Sequence, residues 1–192
     1  MAITIGLLVG SARAGSYNQL LADRIAAALT AGGATVWTPD GSAIDLPIFH
    51  ADREREGFPE AAETLKRGLA ACQGLVLISP EYNGSVSPLI KNLIDWASRS
   101  TLGEPPLTLA AFKGKPVLLA SASIGPFAGV RAIGHLREIA QAIQLIALPE
   151  EIRVGAATTA FDTDGNLTNP ATAGQIDAVA ARLIDIAGRL SA

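Results

Sequence analysis

An α/β fold is what this sequence predicts: a three-layer sandwich whose five-stranded parallel sheet has the strand order 2-1-3-4-5. Three observations lead there. Short apolar runs alternate with longer segments whose apolar residues recur at helical spacing. The runs are apolar throughout, as strands covered on both faces are, and do not alternate with polar residues. The residues best suited to holding a ligand collect after the first, third and fourth runs, where this strand order opens its crevice. At 192 residues the chain suits a single domain over 1–192.

The first run, "AITIGLLVG" (2–10), lacks a basic leader and a small-residue cleavage site, so it reads as a strand and not as a signal peptide. Ser16 with Gln19 three residues on has the form of a capping box, and Leu21, Ile25, Ala28 and Leu29 give the helix that follows one apolar stripe. "ATVW" (34–37) is the second strand. Residues 50–60, "HADREREGFPE", read as a solvated loop able to overhang a neighbouring site, and Pro59 starts the second helix. "GLVLIS" (74–79) is the third strand. Ser87-Pro88 then sets a capping hydroxyl before a first-turn proline and opens a helix over 88–98. Its Leu89, Ile90, Leu93, Ile94, Trp96 and Ala97 wrap more than one face, which points to homo-oligomerisation through this helix. After a Gly/Pro/Thr-rich connection at 100–114 come the fourth strand, "KPVLLAS" (115–121), and a helix striped by Ile133, Leu136, Ala140 and Ile143. "QLIAL" (144–148) is the fifth strand, and 149–169 is a second long connection. Asn169-Pro170 caps the last helix, which carries Ile176, Val179, Leu183, Ala187 and Leu190.

Hydrophobic residues make up 49% of the chain and charged ones 17%, which argues against disorder, and no apolar span has membrane length. A formal charge of -3 without a basic cluster removes the usual electrostatic footprint of nucleic-acid binding. Small molecules are the expected partners. With Cys72 as its single cysteine the chain can form no internal disulfide, a composition that suits the cytoplasm; between an Ala/Leu-rich stretch and an apolar run, Cys72 reads as a buried structural thiol. His50 and His135 lie in no metal-ligand array, so no metal site is expected.

The first loop, "GSARAGS" (10–16), brings backbone N–H groups and the hydroxyls of Ser11 and Ser16 to a helix N-terminus, where the dipole favours an anion and Arg13 can add a charge-assisted bond. The spacing of Gly10 and Gly15 superficially matches the GxxxxGK[ST] loop, but the lysine that reaches terminal phosphates is absent, and GxGxxG does not occur. A lone monophosphate fits better than a pyrophosphate. In the second loop, "SPEYNGS" (79–85), Pro80 ends the strand and Asn83-Gly84 favours positive φ, giving a sharp turn whose amides and carbonyls can meet a flat heterocycle edge-on. Tyr82 adds an aromatic surface in a chain with only 5% aromatic residues. The third loop, "SASIGPFAG" (121–129), repeats small hydroxyls and glycine before a helix.

With these residues the chain resembles the NAD(P)H-dependent FMN reductase family of flavodoxin-like proteins. Gly10-Ser11, Arg13, Ser16 and Asn18 match the family's GSxRxxSxN loop; Pro80-Glu81-Tyr82-Asn83-Gly84 with Lys91-Asn92, Asp95 and Trp96 match its second motif. The resemblance implies a flavodoxin-like three-layer sandwich, FMN as cofactor and NADPH or NADH as co-substrate. It implies that Ser11, Arg13, Ser16 and Asn18 hold the FMN phosphate and that Pro80, Glu81, Tyr82, Asn83 and Gly84 border the isoalloxazine ring. The third loop departs from the family's SxGxxGG: it keeps Ser123, Gly125 and Gly129 but has Pro126 and Ala128, so Ser121, Ser123 and Gly125 are its candidate contacts to flavin or nicotinamide. The activity so implied is hydride transfer from NAD(P)H to FMN and then two electrons to a quinone, azo compound, metal oxyanion or free flavin. No catalytic acid or base is implied, and the family's dimers or tetramers use the region of the 88–98 helix. Two other readings stand beside this one: a reductase that releases reduced FMN to a partner, and a non-enzymatic flavodoxin-type electron carrier. Against the carrier, the first loop lacks the TxTGxT form of flavodoxins.

Overall fold

The computed structural model describes residues 2–101 and 104–191. Five parallel strands, β1 (Thr4–Val9), β2 (Thr35–Trp37), β3 (Gly74–Ile78), β4 (Pro116–Ala122) and β5 (Ile146–Val154), form one sheet in the order β2-β1-β3-β4-β5, the expected topology. On one face lie α1 (Tyr17–Ala31) and α8 (Pro170–Leu190); on the other lie α4 (Glu60–Ala71), α5 (Pro88–Ala97) and α6 (Val130–Ala142). Three short helices, α2 (Gly41–Ile44), α3 (Ala51–Glu56) and α7 (Ala157–Ala160), lie in the connections. Along β3 every residue is buried; Val76 and Ile78 join the core beneath α1 and α8, while Leu75 and Leu77 join the core beneath α4 to α6. Each such leucine contributes roughly 1.5–3 kcal/mol by leaving water, so two-sided burial makes this central strand the firm support for the loops at its carboxyl end.

The caps follow the sequence with one exception. Ser87 Oγ accepts from Ile90 N–H, and Asn169 Oδ1 accepts from Ala171 N–H. Ser16 Oγ accepts from Asn18 N–H, but Gln19 turns to Asp23 and does not reach back, so the capping box is only half made. The strand expected over 144–148 runs to Val154. Its register against β4 slips between Val117 and Leu119, and the bulge takes up Pro149 on an edge strand, where a missing N–H is tolerated. Leu190, at the end of the α8 stripe, is exposed. Within the 100–114 connection, residues 102–103 lie outside the described residues.

The 50–60 segment is not a plain solvated loop. His50 Nδ1 caps α3, and the chain on either side of α3 lies across α5. Asn92 Oδ1 accepts from Phe49 N–H, Asn92 Nδ2 donates to the carbonyls of Leu46 and Pro47, and Trp96 Nε1 donates to the Pro47 carbonyl at 2.7 Å. The rings of Phe49 and Phe58 meet Trp96 edge-on at 5.1 and 5.4 Å, and Arg99 pairs with Glu54. This strap and the sheet together bury Ile90, Leu93, Ile94, Trp96 and Ala97 inside one chain. Of the six apolar residues that pointed to self-association through residues 88–98, these five are buried within the chain and Leu89 is partly exposed.

At the amino-terminal end of the sheet, burial pushes the Lys115 ammonium down to about 8, the Cys72 charge acting weakly the other way. Burial likewise pushes the Cys72 thiol up to about 11, against the pull of Lys115, which makes it a poor nucleophile at neutral pH. Lys115 Nζ donates to the carbonyls of Leu69 and Ala70 at the end of α4. The two groups tilt stability in opposite directions. Between about 8 and roughly 10.4 the unfolded chain binds the lysine proton more fully than the folded one, so stability rises with pH; between roughly 8.5 and about 11 the folded chain keeps the thiol proton, so stability falls. Removing the falling contribution with Cys72→Ala is expected to leave a melting temperature that climbs from pH 8 to pH 10, where the parent protein stays nearly level. Thermal denaturation across that range checks this, and parallel curves for the two proteins would refute it.

Candidate functional site

Adjacent strands β1, β3 and β4 end side by side, and the loops that follow them close around a cavity of about 300 Å3. Ser11, Arg13, Ser16 and Asn18 form one wall, Pro80, Glu81 and Tyr82 a second, and Ala122, Ser123 and Ile124 a third. A larger open groove of about 700 Å3 lies beyond the 126–130 segment. Its acids pair with arginines, Glu150 Oε1 with Arg182 and Glu151 with Arg137 and Arg153, while Glu150 Oε2 is buried without a hydrogen-bond partner among the described residues; the smaller cavity is the one that the three loops enclose.

The first wall starts at Gly10, whose N–H donates to Ile78 O at 2.7 Å. A Cβ there would come within 2.5 Å of Ser87 Oγ and 3.0 Å of Ile90 Cβ, so only glycine lets this loop pass so close to the start of α5. Ser16, itself buried, presents the N-terminus of the 15-residue α1 to the cavity. Arg13 lies exposed on the rim, its guanidinium donating to Ala14 O and Gly15 O, both at 2.9 Å. Asn18 is buried and crosses to β4: its Nδ2 donates to Ala122 O and its Oδ1 accepts from Ala122 N–H, each at 2.9 Å. Both polar ends of Asn18 thus fasten one wall to another.

The second wall is closed at its base by Ser79, whose Oγ accepts from Ser87 N–H and donates to Pro80 O. Tyr82 and Ser85 exchange backbone hydrogen bonds at 3.0 Å, and between them Asn83 (φ 51°) and Gly84 (φ 77°) make the turn that Asn-Gly favours. Asn83 and Gly84 belong to this turn but not to the cavity wall. Burial would raise the Glu81 carboxyl, but the Arg131 guanidinium and the N–H groups of Ala132 and Arg131 outweigh it and hold the carboxyl below its usual range. Glu81 is therefore a fixed carboxylate, and it caps the amino end of α6 where the helix dipole favours negative charge. The rest of this motif serves another purpose: Asn92 and Trp96 hold the strap, and Lys91 pairs with Asp95 along the helix.

On the third wall the expectation for Ser121 is corrected. Ser121 is fully buried within β4 beneath Gly129, its Oγ without a hydrogen-bond partner among the described residues, so it does not reach the cavity. Ser123 does, and Gly125, just off the wall, donates its N–H to Ser123 Oγ. Three lining residues escaped the sequence reading: Tyr17, Ala122 and Ile124. The scarcity of aromatics that drew attention to Tyr82 applied equally to Tyr17, which stacks on Phe161 at 6.1 Å. Ile124 had no such signal; it is an apolar residue 71% exposed, across from Tyr82, 49% exposed.

Residues 3–159 match the model of a family described as NADPH-dependent FMN reductase. An NAD(P)H-dependent FMN reductase from Pseudomonas aeruginosa is 36% identical over 159 residues, covering 82% of this chain and 80% of its own. A quinone reductase from Escherichia coli strain K12 is 39% identical over 133 residues, 69% of this chain and 66% of its own. Among solved structures, FerB, a flavoenzyme NAD(P)H:(acceptor) oxidoreductase from Paracoccus denitrificans, superposes with a TM-score of 0.81 at 26% identity and covers 98% of both chains.

Proposed function

The chain belongs to the NADPH-dependent FMN reductase family and is an NAD(P)H-dependent oxidoreductase with FMN as its cofactor; from that premise we propose that it reduces a quinone, with the flavin held in the cavity between the three loops. The observation that carries this reading is the division of the cavity into two chemistries. One end gathers the hydroxyls of Ser11 and Ser16, the Arg13 guanidinium and the N-terminus of α1, a donor set that fits a phosphate dianion. The other end presents Pro80, Tyr82 and Ile124 beside a turn with exposed backbone, which suits a flat ring with polar edges.

FMN, when bound, would supply the redox chemistry between NAD(P)H and the acceptor, and Ser11, Arg13, Ser16, Pro80 and Tyr82 are the residues that would hold it. The protein contributes placement. Arg13 and α1 fix the phosphate, the Tyr82–Gly84 turn borders the ring, and Asn18 keeps the first and third walls together. Glu81 does not serve as a proton donor, since Arg131 and the α6 amides hold it ionised. A neutral, flat acceptor suits the ring end. Among the described residues lining the cavity, Arg13 carries the one positive charge, and the phosphate claims it, so a metal oxyanion finds no second cation there. The E. coli relative's name, quinone reductase, supports the same choice.

The test is the visible spectrum of the protein loaded with FMN, desalted, and then treated anaerobically with NADPH or NADH, followed by a quinone, an azo dye, chromate or free flavin. Retained flavin that bleaches with the nucleotide and recovers fastest with quinone is the expected result. Flavin retained but not bleached would favour the electron carrier. Flavin lost on desalting, yet consumed in turnover, would favour a reductase that releases reduced FMN.

A further inference from the structure

The Pro80–Ser85 segment is joined to α6 at two points, and neither α6 residue belongs to the motifs that identify the family. At the first, Glu81 accepts from the Arg131 N–H at 3.0 Å and from Arg131 Nε at 2.8 Å, with a further contact to the guanidinium at 2.5 Å. At the second, Ser85 Oγ lies 2.9 Å from His135 Nδ1. Residues 131 and 135 are four apart, so they stand one above the other on one face of the helix. Glu81 and Ser85 flank the turn on its two sides. Between them Asn83 and Gly84 hold left-handed backbones, which set the shape of the turn locally and leave its position to the contacts on either side.

The helix that grips this turn begins directly after residues 123–129, which carry the third wall. Glu81, only 10% exposed in its side chain, caps that helix with the carboxylate of the second wall. We infer that Arg131 and His135 are positioning residues: they hold the Tyr82–Gly84 turn against α6 and so set the distance between the two walls that enclose the flavin ring. The inference rests on the flavin-site reading above. Arg131 and His135 are themselves exposed, Arg131 by 61% of its side chain, and bury little apolar surface. Their role is the placement of the turn, and core packing is left to other residues.

A double-mutant cycle over Ser85 and His135 tests this, with the FMN dissociation constant and the midpoint potential of the bound flavin as readouts beside the melting temperature of the flavin-free protein. Ser85→Ala and His135→Ala are each expected to weaken FMN binding about threefold to tenfold and to shift the potential, with the double variant no worse than either single one. His135→Asn, whose amide can still meet the Ser85 hydroxyl, recovers most of the loss. Arg131→Met loosens FMN in the same way, and Arg131→Lys recovers it in part. Melting temperatures of the flavin-free Ser85 and His135 variants stay close to that of the parent. Losses that add in the double variant, or an unchanged affinity and potential in every variant while the parent binds FMN, would overturn this inference and leave the flavin reading standing. A parent protein that fails to bind FMN overturns both.

Discussion

Arg13→Ala is expected to weaken FMN binding about tenfold to a hundredfold, the loss that follows when one charge-assisted contact to a phosphate is removed. The guanidinium also braces its own loop through Ala14 O and Gly15 O, so looser binding by itself would not distinguish a lost phosphate contact from a slack loop. Riboflavin, which has the ring and the ribityl chain but no phosphate, separates the two. A phosphate role predicts that the variant loses affinity for FMN while its affinity for riboflavin stays within about twofold, and that the remaining FMN affinity responds less steeply to salt. Equal losses for the two flavins, measured by fluorescence titration, would assign Arg13 to the loop alone. Arg13→Lys keeps the charge without the planar fork and should fall between the parent and the alanine variant.

Gly129→Ala is expected to cost about 2–4 kcal/mol, the sum of a left-handed backbone imposed on a residue with a Cβ and an overpacked contact. Gly129 has φ 72°, and its new Cβ would overlap Ser121 Oγ and lie 2.7 Å from Ser121 Cβ. For a chain of this size that is a fall of roughly 5–15 °C in melting temperature. Ser121→Ala, by contrast, removes a buried hydroxyl with no partner among the described residues, so it should leave stability level or slightly higher and leave FMN affinity unchanged. Combining the two should recover part of the Gly129→Ala loss, because the oxygen overlap goes while the Cβ contact stays. A Ser121→Ala protein that loses flavin would return Ser121 to the binding site.

Strand order and the grouping of the three loops could be read from the chain because both depend on local signals. Each apolar run is bounded by its own turn residues, and Ser16, Ser87 and Asn169 mark helix starts by chemistry that acts within a few residues. What could not be read depends on partners distant in sequence. Asn18 lines the cavity where a phosphate ligand was expected, but the tie of its amide to Ala122, 104 residues away, has no local signal. Glu81 sits inside a motif, but that it caps α6 and pairs with Arg131, fifty residues away, has no local signal. Trp96 gave no local sign of the strap at 46–58 that covers it. Ser121 sits in the right loop by number, but the strand continues one residue past it and turns its side chain inward.

The Asn18 clamp bears on the entropy of association. A single buried amide that uses both its polar ends on the main chain of β4 settles the relative position of two walls while the chain folds. The freedom those loops give up is therefore lost before any flavin arrives and is not subtracted again from its binding energy. Side chains immobilised only on binding take roughly 0.5–1.5 kcal/mol each from an affinity. A wall fixed in advance takes nothing, so a ligand of the cavity of about 300 Å3 would lose no affinity to the ordering of the sheet edge that carries it.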